Sequence, residues 1–327
     1  MLKSLTFYRL INYIQLKSSY LLSRLTGSLV LWGKPISLSI EISGKCQLHC
    51  PECPLGAGKY PSRGFMSFEL FKSIIEENKN NLWMVSLYFQ GEPLLHPEIE
   101  AFIQLLKKHR IYTSVSTNGN TDKAELAENI VKAGLDELIV SVDGSREQSY
   151  QQYRKGGSLK TVLDFMQQVH NAKKKAGTKK PRLIMQSIIS RHNENKIPEL
   201  KQLAVQTGAK IRLKSMQIND MEDPSDLPKN PDLRRYRIKQ QKAIIKNPLK
   251  NHCWRLYRNP VITSEGDVLP CCFDKALANK TGNLCQESFA SIWNSSAYRN
   301  FRKKVFSDRK NTDICTNCSE GTKNIYV

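Results

Sequence analysis

Between residues 36 and 215, apolar positions come in short β-branched runs separated by stretches with helical spacing. ISLSIEI at 36–42, MVSLYF at 84–89, IYTSVS at 111–116, ELIVSV at 137–142, RLIMQSII at 182–189 and KIRLKS at 210–215 read as strands. A helical pattern follows each of the first five, as in PEIEAFIQLLKKHR at 97–110. Thr121 is a candidate N-cap for the next helix, Gly134 a candidate stop, and Gly208 ends PELKQLAVQT in the same way. Strand–helix alternation at this spacing predicts a parallel sheet with crossover helices. Six units without a nucleotide-loop glycine pattern predict an α/β fold of the partial-barrel kind, with chemistry at the C-terminal strand ends.

The flanks break this rhythm. Residues 1–34 form a basic amphipathic extension with Lys3, Arg9, Lys17, Arg24 and Lys34, no acid, and aromatic residues among leucines. Two readings stand: a helix packed on the enzyme body, or a segment lying on an anionic membrane surface. The repeating units occupy 35–219. Residues 220–249 read as a linker, with three prolines in 220–232, and a basic helix, since 229–258 carries ten basic residues and one acid. A small module over 250–327 follows, with a β-hairpin at VITSEGDVLP and one helix around SFASIWNSSAYRNFRKK.

Composition narrows the classes. The chain has 327 residues, 40% of them hydrophobic, which is enough for a sizeable core. No run of about 18 apolar residues exists, which excludes a transmembrane helix. Polar residues interrupt the apolar run near the start, which argues against a cleavable signal peptide. Fifty Lys and Arg against 30 Asp and Glu give a net charge of +20. The nine cysteines are odd in number and fall in two tight groups. Without a secretion signal this fits a metal in a reducing cytoplasm better than a disulfide framework.

The first group is Cys46-x3-Cys50-x2-Cys53, in the loop after the first strand. Zinc in a structural site wants four ligands, and His49 beside Cys50 makes a closed set hard to build. Three thiolates suit a 4Fe–4S cluster with one iron left open. With Gln90-Gly91-Glu92-Pro93 after strand two, Ser116-Thr117-Asn118-Gly119 ending strand three and Ser141-Val142-Asp143-Gly144 ending strand four, the sequence resembles the radical S-adenosylmethionine (SAM) superfamily.

The resemblance implies a partial (β/α)6 TIM-like barrel and a chemistry. The open iron chelates SAM, one electron cleaves its sulfonium bond, and the 5′-deoxyadenosyl radical takes a hydrogen from substrate. It implies that Cys46, Cys50 and Cys53 hold the cluster. Gly91 and Glu92 would meet the SAM amino group through backbone atoms, and Ser141 its ribose or carboxylate. Arg154 is a candidate SAM-carboxylate partner through its bidentate fork, with a solvated surface arginine as the alternative. Gln186 and Leu213 are further SAM candidates, and Thr117 and Lys214 substrate candidates. Two departures stand out: Glu52 sits where an aromatic residue is usual, which puts an adenine contact in doubt, and Gln47 where Asn is common.

The second group resembles the C-terminal SPASM extension or its shorter twitch form. Cys253 precedes Gly266 and Cys271, and Cys315-x2-Cys318 closes the module. The middle of the full seven-cysteine pattern is missing, so the resemblance implies one auxiliary 4Fe–4S cluster on Cys253, Cys271, Cys315 and Cys318. Asp274 and Gly282-Asn283 also fit it. Cys272 and Cys285 are left as small buried residues, with Cys272 an alternative to Cys271. A zinc site is the competing reading, since two cysteine pairs also build zinc ribbons.

A closed auxiliary cluster accepts electrons rather than substrate. The resemblance therefore implies a two-electron oxidation of a small or anionic substrate, with a low-potential flavodoxin- or ferredoxin-like donor. Lys214 and Glu41 are the candidate bases. Peptide modification or bond formation is the alternative; the short stretch before the first strand argues against a leader-binding domain. A nucleic-acid-binding iron–sulfur or zinc protein is the alternative of another class, but the basic residues lack interleaved aromatics and any nucleic-acid motif. The expected location is cytoplasmic, at the inner membrane surface if residues 1–34 bind lipid.

Overall fold

A computed structural model describes residues 5–123 and 125–320. Lys3 and residues 321–327 of the C-terminal module lie outside the described residues. The chain divides into two compact units: residues 1–45, 62–115 and 249–316 form the first, and residues 46–61, 116–248 and 317–327 the second.

The first unit opens with helix α1 (Phe7–Thr26), capped by the Thr6 hydroxyl and stopped by Gly27 in the left-handed region. The chain continues through β1 (Ser37–Ile40), α2 (Phe68–Asn78), β2 (Met84–Ser86), α3 (Ile99–Lys108) and β3 (Tyr112–Thr117), within which it passes into the second unit. There follow α4 (Leu126–Lys132), β4 (Glu137–Ser141), α5 (Glu147–Tyr153), α6 (Leu159–Lys175), β5 (Arg182–Ile189), α7 (Ile197–Gln206), β6 (Lys210–Ser215), β7 (Tyr236–Lys239) and β8 (Lys242–Ile245). The chain then returns to the first unit with α8 (Arg255–Arg258), β9 (Val261–Ile262), β10 (Asp267–Leu269), β11 (Gly282–Asn283), α9 (Phe289–Asn294) and α10 (Ser296–Asp308).

All six sequence-predicted strands form, and a helix follows each of the first five. In the first unit β1, β2 and β3 run parallel, and β9 adds to the free edge of β1, with Ser39 opposite Val261. The expected hairpin at 261–270 is β9–β10, antiparallel, with β11 beyond it. In the second unit β4, β5 and β6 run parallel, with Ser141 opposite Gln186 and Gln186 opposite Arg212.

Helix α1 packs on its unit through polar groups and through the rings of Tyr13 and Tyr20. The Arg9 guanidinium donates to the backbone carbonyls of Lys79, His109 and Arg110, which close α2 and α3. A cation there satisfies carbonyls that a helix end leaves unpaired and meets the negative dipole end. Asn12 exchanges hydrogen bonds with the Lys34 backbone, and Tyr20 Oη lies 2.9 Å from His252 Nδ1.

Three local expectations are corrected. Helix α4 starts beyond Glu125, while the Thr121 hydroxyl accepts from the Lys123 N–H in a separate turn. The basic run holds no helix at 236–245: β7 and β8 form an antiparallel hairpin that buries Tyr236 and Ala243 among Met216, Ile218 and Leu227. Its two-residue turn places Gln240 and Gln241 at φ 48° and 62°, the primed-turn conformation, without the Asn-Gly or Asp-Gly pair that would have flagged it. The C-terminal helix is two helices, because extended Ser295 breaks the run and caps α10 by accepting from the Tyr298 N–H.

No helix among the described residues is long and apolar enough to cross a membrane. Replacing Arg9 by Met leaves three part-buried carbonyls without their donor. We expect it to destabilise the fold by about 2–3 kcal/mol, at 1–3 kcal/mol for each unsatisfied buried group with partial relief by water, read as a lower urea midpoint.

Candidate functional site

The cysteine loop leaves the end of β1 and returns toward α2, and its two chain ends are joined in the first unit. The Arg63 N–H donates to the Gly44 carbonyl, the Gly44 N–H donates to the Gly64 carbonyl, Ser43 bridges Phe65, and the Met66 N–H donates to the Ile42 carbonyl. A Cβ on Gly44 would lie 2.4 Å from Arg63 Cβ, so only glycine permits this closure. Beneath it the Arg63 guanidinium binds Glu41 bidentately, Nε to Oε2 at 3.0 Å and Nη2 to Oε1 at 2.9 Å. Both side chains are almost fully buried. The same carboxylate accepts from the Gln90 and Ser264 backbone N–H groups. This corrects the reading of Glu41 as a base: its oxygens hold a buried cation and two amides.

The Gln90–Pro93 turn packs against the loop's first end. The Glu92 N–H donates to the Lys45 carbonyl at 2.7 Å, and the Glu92 carboxylate turns inward to cap the Leu94 N–H. A Cβ at Gly91 would fall 2.0 Å from the Ser43 carbonyl oxygen, a distance no side chain tolerates. The backbone of 91 and 92 is thereby fixed, as a backbone-mediated contact requires.

Within the second unit the loop is pinned to the ends of β3 and β4. Gln47 Nε2 donates to the Asn120 carbonyl at 2.8 Å, and the His49 N–H donates to the Lys155 carbonyl at 2.9 Å. Asn118 Nδ2 reaches Cys46 Sγ, and Arg154 Nη1 reaches Cys50 Sγ, both at 3.8 Å. Gly56 folds back onto Cys50, where a Cβ would meet its backbone nitrogen at 2.7 Å. All three thiols are free of disulfides. Burial pushes the Cys50 thiol up, and the Arg154 guanidinium opposes that shift.

Arg154 is not the solvated arginine of the alternative reading. Its side chain is only 14% exposed, and its Nε pairs with Asp143 Oδ2 at 2.5 Å. Asp143 raises the Arg154 pKa against the cost of burial. Asn118 and Asp143 belong to quoted motifs, but nothing in those motifs aims either at a thiol or at Arg154, because a turn motif carries no side-chain direction.

The β4–β6 register sorts the remaining candidates. Ser141 and Gln186 are opposite one another, and Ile188 opposes Lys214, so Ser141, Gln186 and Lys214 share one face by strand alternation. Leu213 opposes Ser187 and takes the other, fully buried face. That separates Leu213 from the group it was expected to join. Thr117 is buried, with its hydroxyl accepting from the Gly119 N–H. Glu52 binds Asn219 through its carboxylate and its carbonyl, so the position that departs from the aromatic pattern ties the loop to the segment after β6.

Cys253, Cys271, Cys315 and Cys318 are all buried. Cys253, Cys271 and Cys315 belong to the first unit and Cys318 to the second. The two remaining cysteines differ from expectation. Cys285 is exposed on the turn after β11, and half-buried Cys272 accepts from Arg255 Nη1 at 3.5 Å. Asp274 is buried, and its carboxylate accepts from the Ala278 and Asn279 N–H groups. Among the described residues, no three His, Cys, Asp or Glu side chains gather around the position of a single metal ion.

Comparison with known proteins places this geometry. Residues 40–203 match the radical SAM superfamily, and the chain belongs to it. Residues 253–319 match the iron–sulfur cluster-binding SPASM domain, which replaces the zinc reading of the C-terminal module. The fold is accordingly the TIM-like partial barrel of that superfamily, and the cofactors are a 4Fe–4S cluster, SAM and auxiliary iron–sulfur. A Pyrococcus furiosus protein named as a tungsten-containing aldehyde ferredoxin oxidoreductase cofactor-modifying protein is 25% identical, over 86% of each chain. An S-adenosyl-L-methionine-dependent 2-deoxy-scyllo-inosamine dehydrogenase of Niallia circulans is 20% identical, over 86% of this chain and 92% of its own. Among solved structures, Streptococcus suis SuiB bound to precursor peptide SuiA superposes with a TM-score of 0.65 at 17% identity, over 87% of this chain and 70% of that one.

The cysteine loop fits the cluster: three thiols outside any disulfide, two N–H groups aimed at sulfur and a glycine cradle that a side chain would fill. Its closure depends on Glu41. Glu41→Ala leaves Arg63 buried and uncompensated, and we expect a loss of about 3–5 kcal/mol in chemical denaturation. Unchanged stability with lost turnover alone would restore Glu41 as a base.

Proposed function

We propose that this enzyme carries out a two-electron oxidation of its substrate, a dehydrogenation, in which hydrogen abstraction is followed by loss of a proton and one further electron. The observation that carries this reading is the presence, in one chain, of a three-thiol loop and a second set of four buried thiols. When bound, the first cluster supplies the electron that cleaves SAM and the auxiliary cluster accepts the electron the substrate gives up. The likeness to the Niallia dehydrogenase over most of both chains supports it.

In this reading Cys46, Cys50 and Cys53 hold the first cluster, and Cys253, Cys271, Cys315 and Cys318 the auxiliary one. The fixed backbone of Gly91 and Glu92 receives the SAM amino group. Ser141 and Gln186, adjacent across β4 and β5, serve the rest of SAM, and Lys214 on the same face and Thr117 serve the substrate. Arg154 places positive charge and an N–H beside Cys50, which stabilises the reduced, more negative state of whatever the thiolate holds. A flavodoxin- or ferredoxin-like protein supplies the electrons. The proposed organisation is a barrel over 35–219, a connecting segment to 249 and a cluster module beyond it. A second reading, maturation of a peptide, draws on the fold shared with peptide-bound SuiB.

Anaerobic reconstitution tests the proposal. About eight irons per chain are expected for two 4Fe–4S clusters, with 5′-deoxyadenosine formed under reductant and abolished in the Cys46/Cys50/Cys53→Ala variant. Cys315→Ala should keep SAM cleavage and lose substrate oxidation. About four irons in the intact chain, with cleavage retained, would remove the electron acceptor and sink the dehydrogenase reading. Turnover of a peptide panel rather than alcohols, amines or sugars would select the second reading.

A further inference from the structure

We propose that the outward face of α1 is a docking surface for an anionic lipid bilayer, on which the helix lies flat.

The helix is inverted relative to an ordinary surface helix. The residues it buries are Arg9, Asn12, Leu16, Ser19, Tyr20 and Ser23, of which only Leu16 is wholly apolar. Their polar groups are matched by Arg9 to the carbonyls of α2 and α3, by Asn12 to Lys34, and by Tyr257 Oη and Val30 to Ser23. The exposed side carries Phe7, Leu10, Ile11, Ile14, Leu21 and Leu25, with Phe7 73% and Leu25 83% accessible. Their spacing at i, i+3, i+4, i+7 and its repeats lines them along one stripe, at ~100° per residue. A surface helix normally turns this stripe to the core; here the inner face is held by hydrogen bonds and by the rings of Tyr13 and Tyr20 against Trp83, Trp254, Tyr257 and Phe306, and the apolar stripe is left for another medium.

Charge selects the medium. No Asp or Glu occurs before Glu41. Exposed Arg24 ends the helix near His252, whose imidazole is held below its usual range first by burial and then by the charges of Arg24, Arg309 and Lys250. Lys17 lies along the flank of the stripe, over the Tyr20 and Trp254 rings. Trp32, 58% exposed, follows within the same unit. An apolar stripe with a basic flank and an exposed tryptophan is the composition of a helix that lies in a membrane interface. A lipid surface with negative headgroups satisfies both the stripe and the flank, whereas a second copy of this basic face would repel it.

The test uses the full, reconstituted chain and sedimentation with vesicles. Vesicles of phosphatidylglycerol and phosphatidylcholine should bind it at least about tenfold better than phosphatidylcholine alone, at ~1 kcal/mol per basic residue near the surface. An Ile14→Asp/Leu25→Asp variant should lose at least about tenfold in binding, because a charge replaces an apolar side chain that enters the interface. An Arg24→Glu/Lys250→Glu variant should lose the preference for phosphatidylglycerol. Iron content and SAM cleavage without vesicles should match the parent in both, which shows that the fold is kept. Failure of the parent to bind either vesicle, equal binding by the Asp variant, or a stable dimer that the Asp variant dissociates in sedimentation equilibrium would each overturn the proposal.

Discussion

The buried pair between Glu41 and Arg63 is the interaction on which the rest of the site depends. Removing two charges from water is costly, and the cost is offset only when each charged atom is matched. Here the carboxylate receives both edges of the Arg63 fork and two further backbone amides, from Gln90 and Ser264. Four stretches of chain that are far apart in sequence therefore meet at one carboxylate: the end of β1, the return of the cysteine loop, the Gln90–Pro93 turn and the β9–β10 hairpin. Charge at one point fixes where the loop begins and ends, and Gly44 and Gly91 allow the backbones to approach closely enough for it.

That junction also explains why residues 249–316 belong to the first unit. Strand β9 pairs with β1 in parallel, and the Glu41 N–H donates to the Ile262 carbonyl just beyond the ladder. The hairpin bearing the run-up to Cys271 is thus registered on the strand that leads into Cys46.

Around the thiols the protein controls charge rather than merely supplying sulfur. Asp143 orients Arg154 and Arg154 faces Cys50, while Asn118 faces Cys46. Hydrogen bonds and positive charge at ligating sulfur stabilise electron-rich states. In the first unit, α1 attaches itself through polar groups and the rings of Tyr13 and Tyr20 while leaving its apolar stripe outward.

The six strands, the helices between them and the motifs at the strand ends were legible in the sequence, because periodicity and turn chemistry are local. So were the two thiol groups, since spacing within one loop is a local property. The direction of side chains was not. Glu41 reads as a candidate base until Arg63 is brought to it, the pairing of Arg154 with Asp143 appears only in the fold, and Gln186 and Leu213 read alike as SAM candidates until the register puts them on opposite faces. The hairpin at 236–245 was hidden for the same reason, its primed turn being held by burial of Tyr236 and Ala243 rather than by a glycine. Local spacing determined which chemistry the chain can carry; contacts between distant residues decided which groups are spent on holding the site and which remain to act, because desolvation and pairing exist only once the chain has folded.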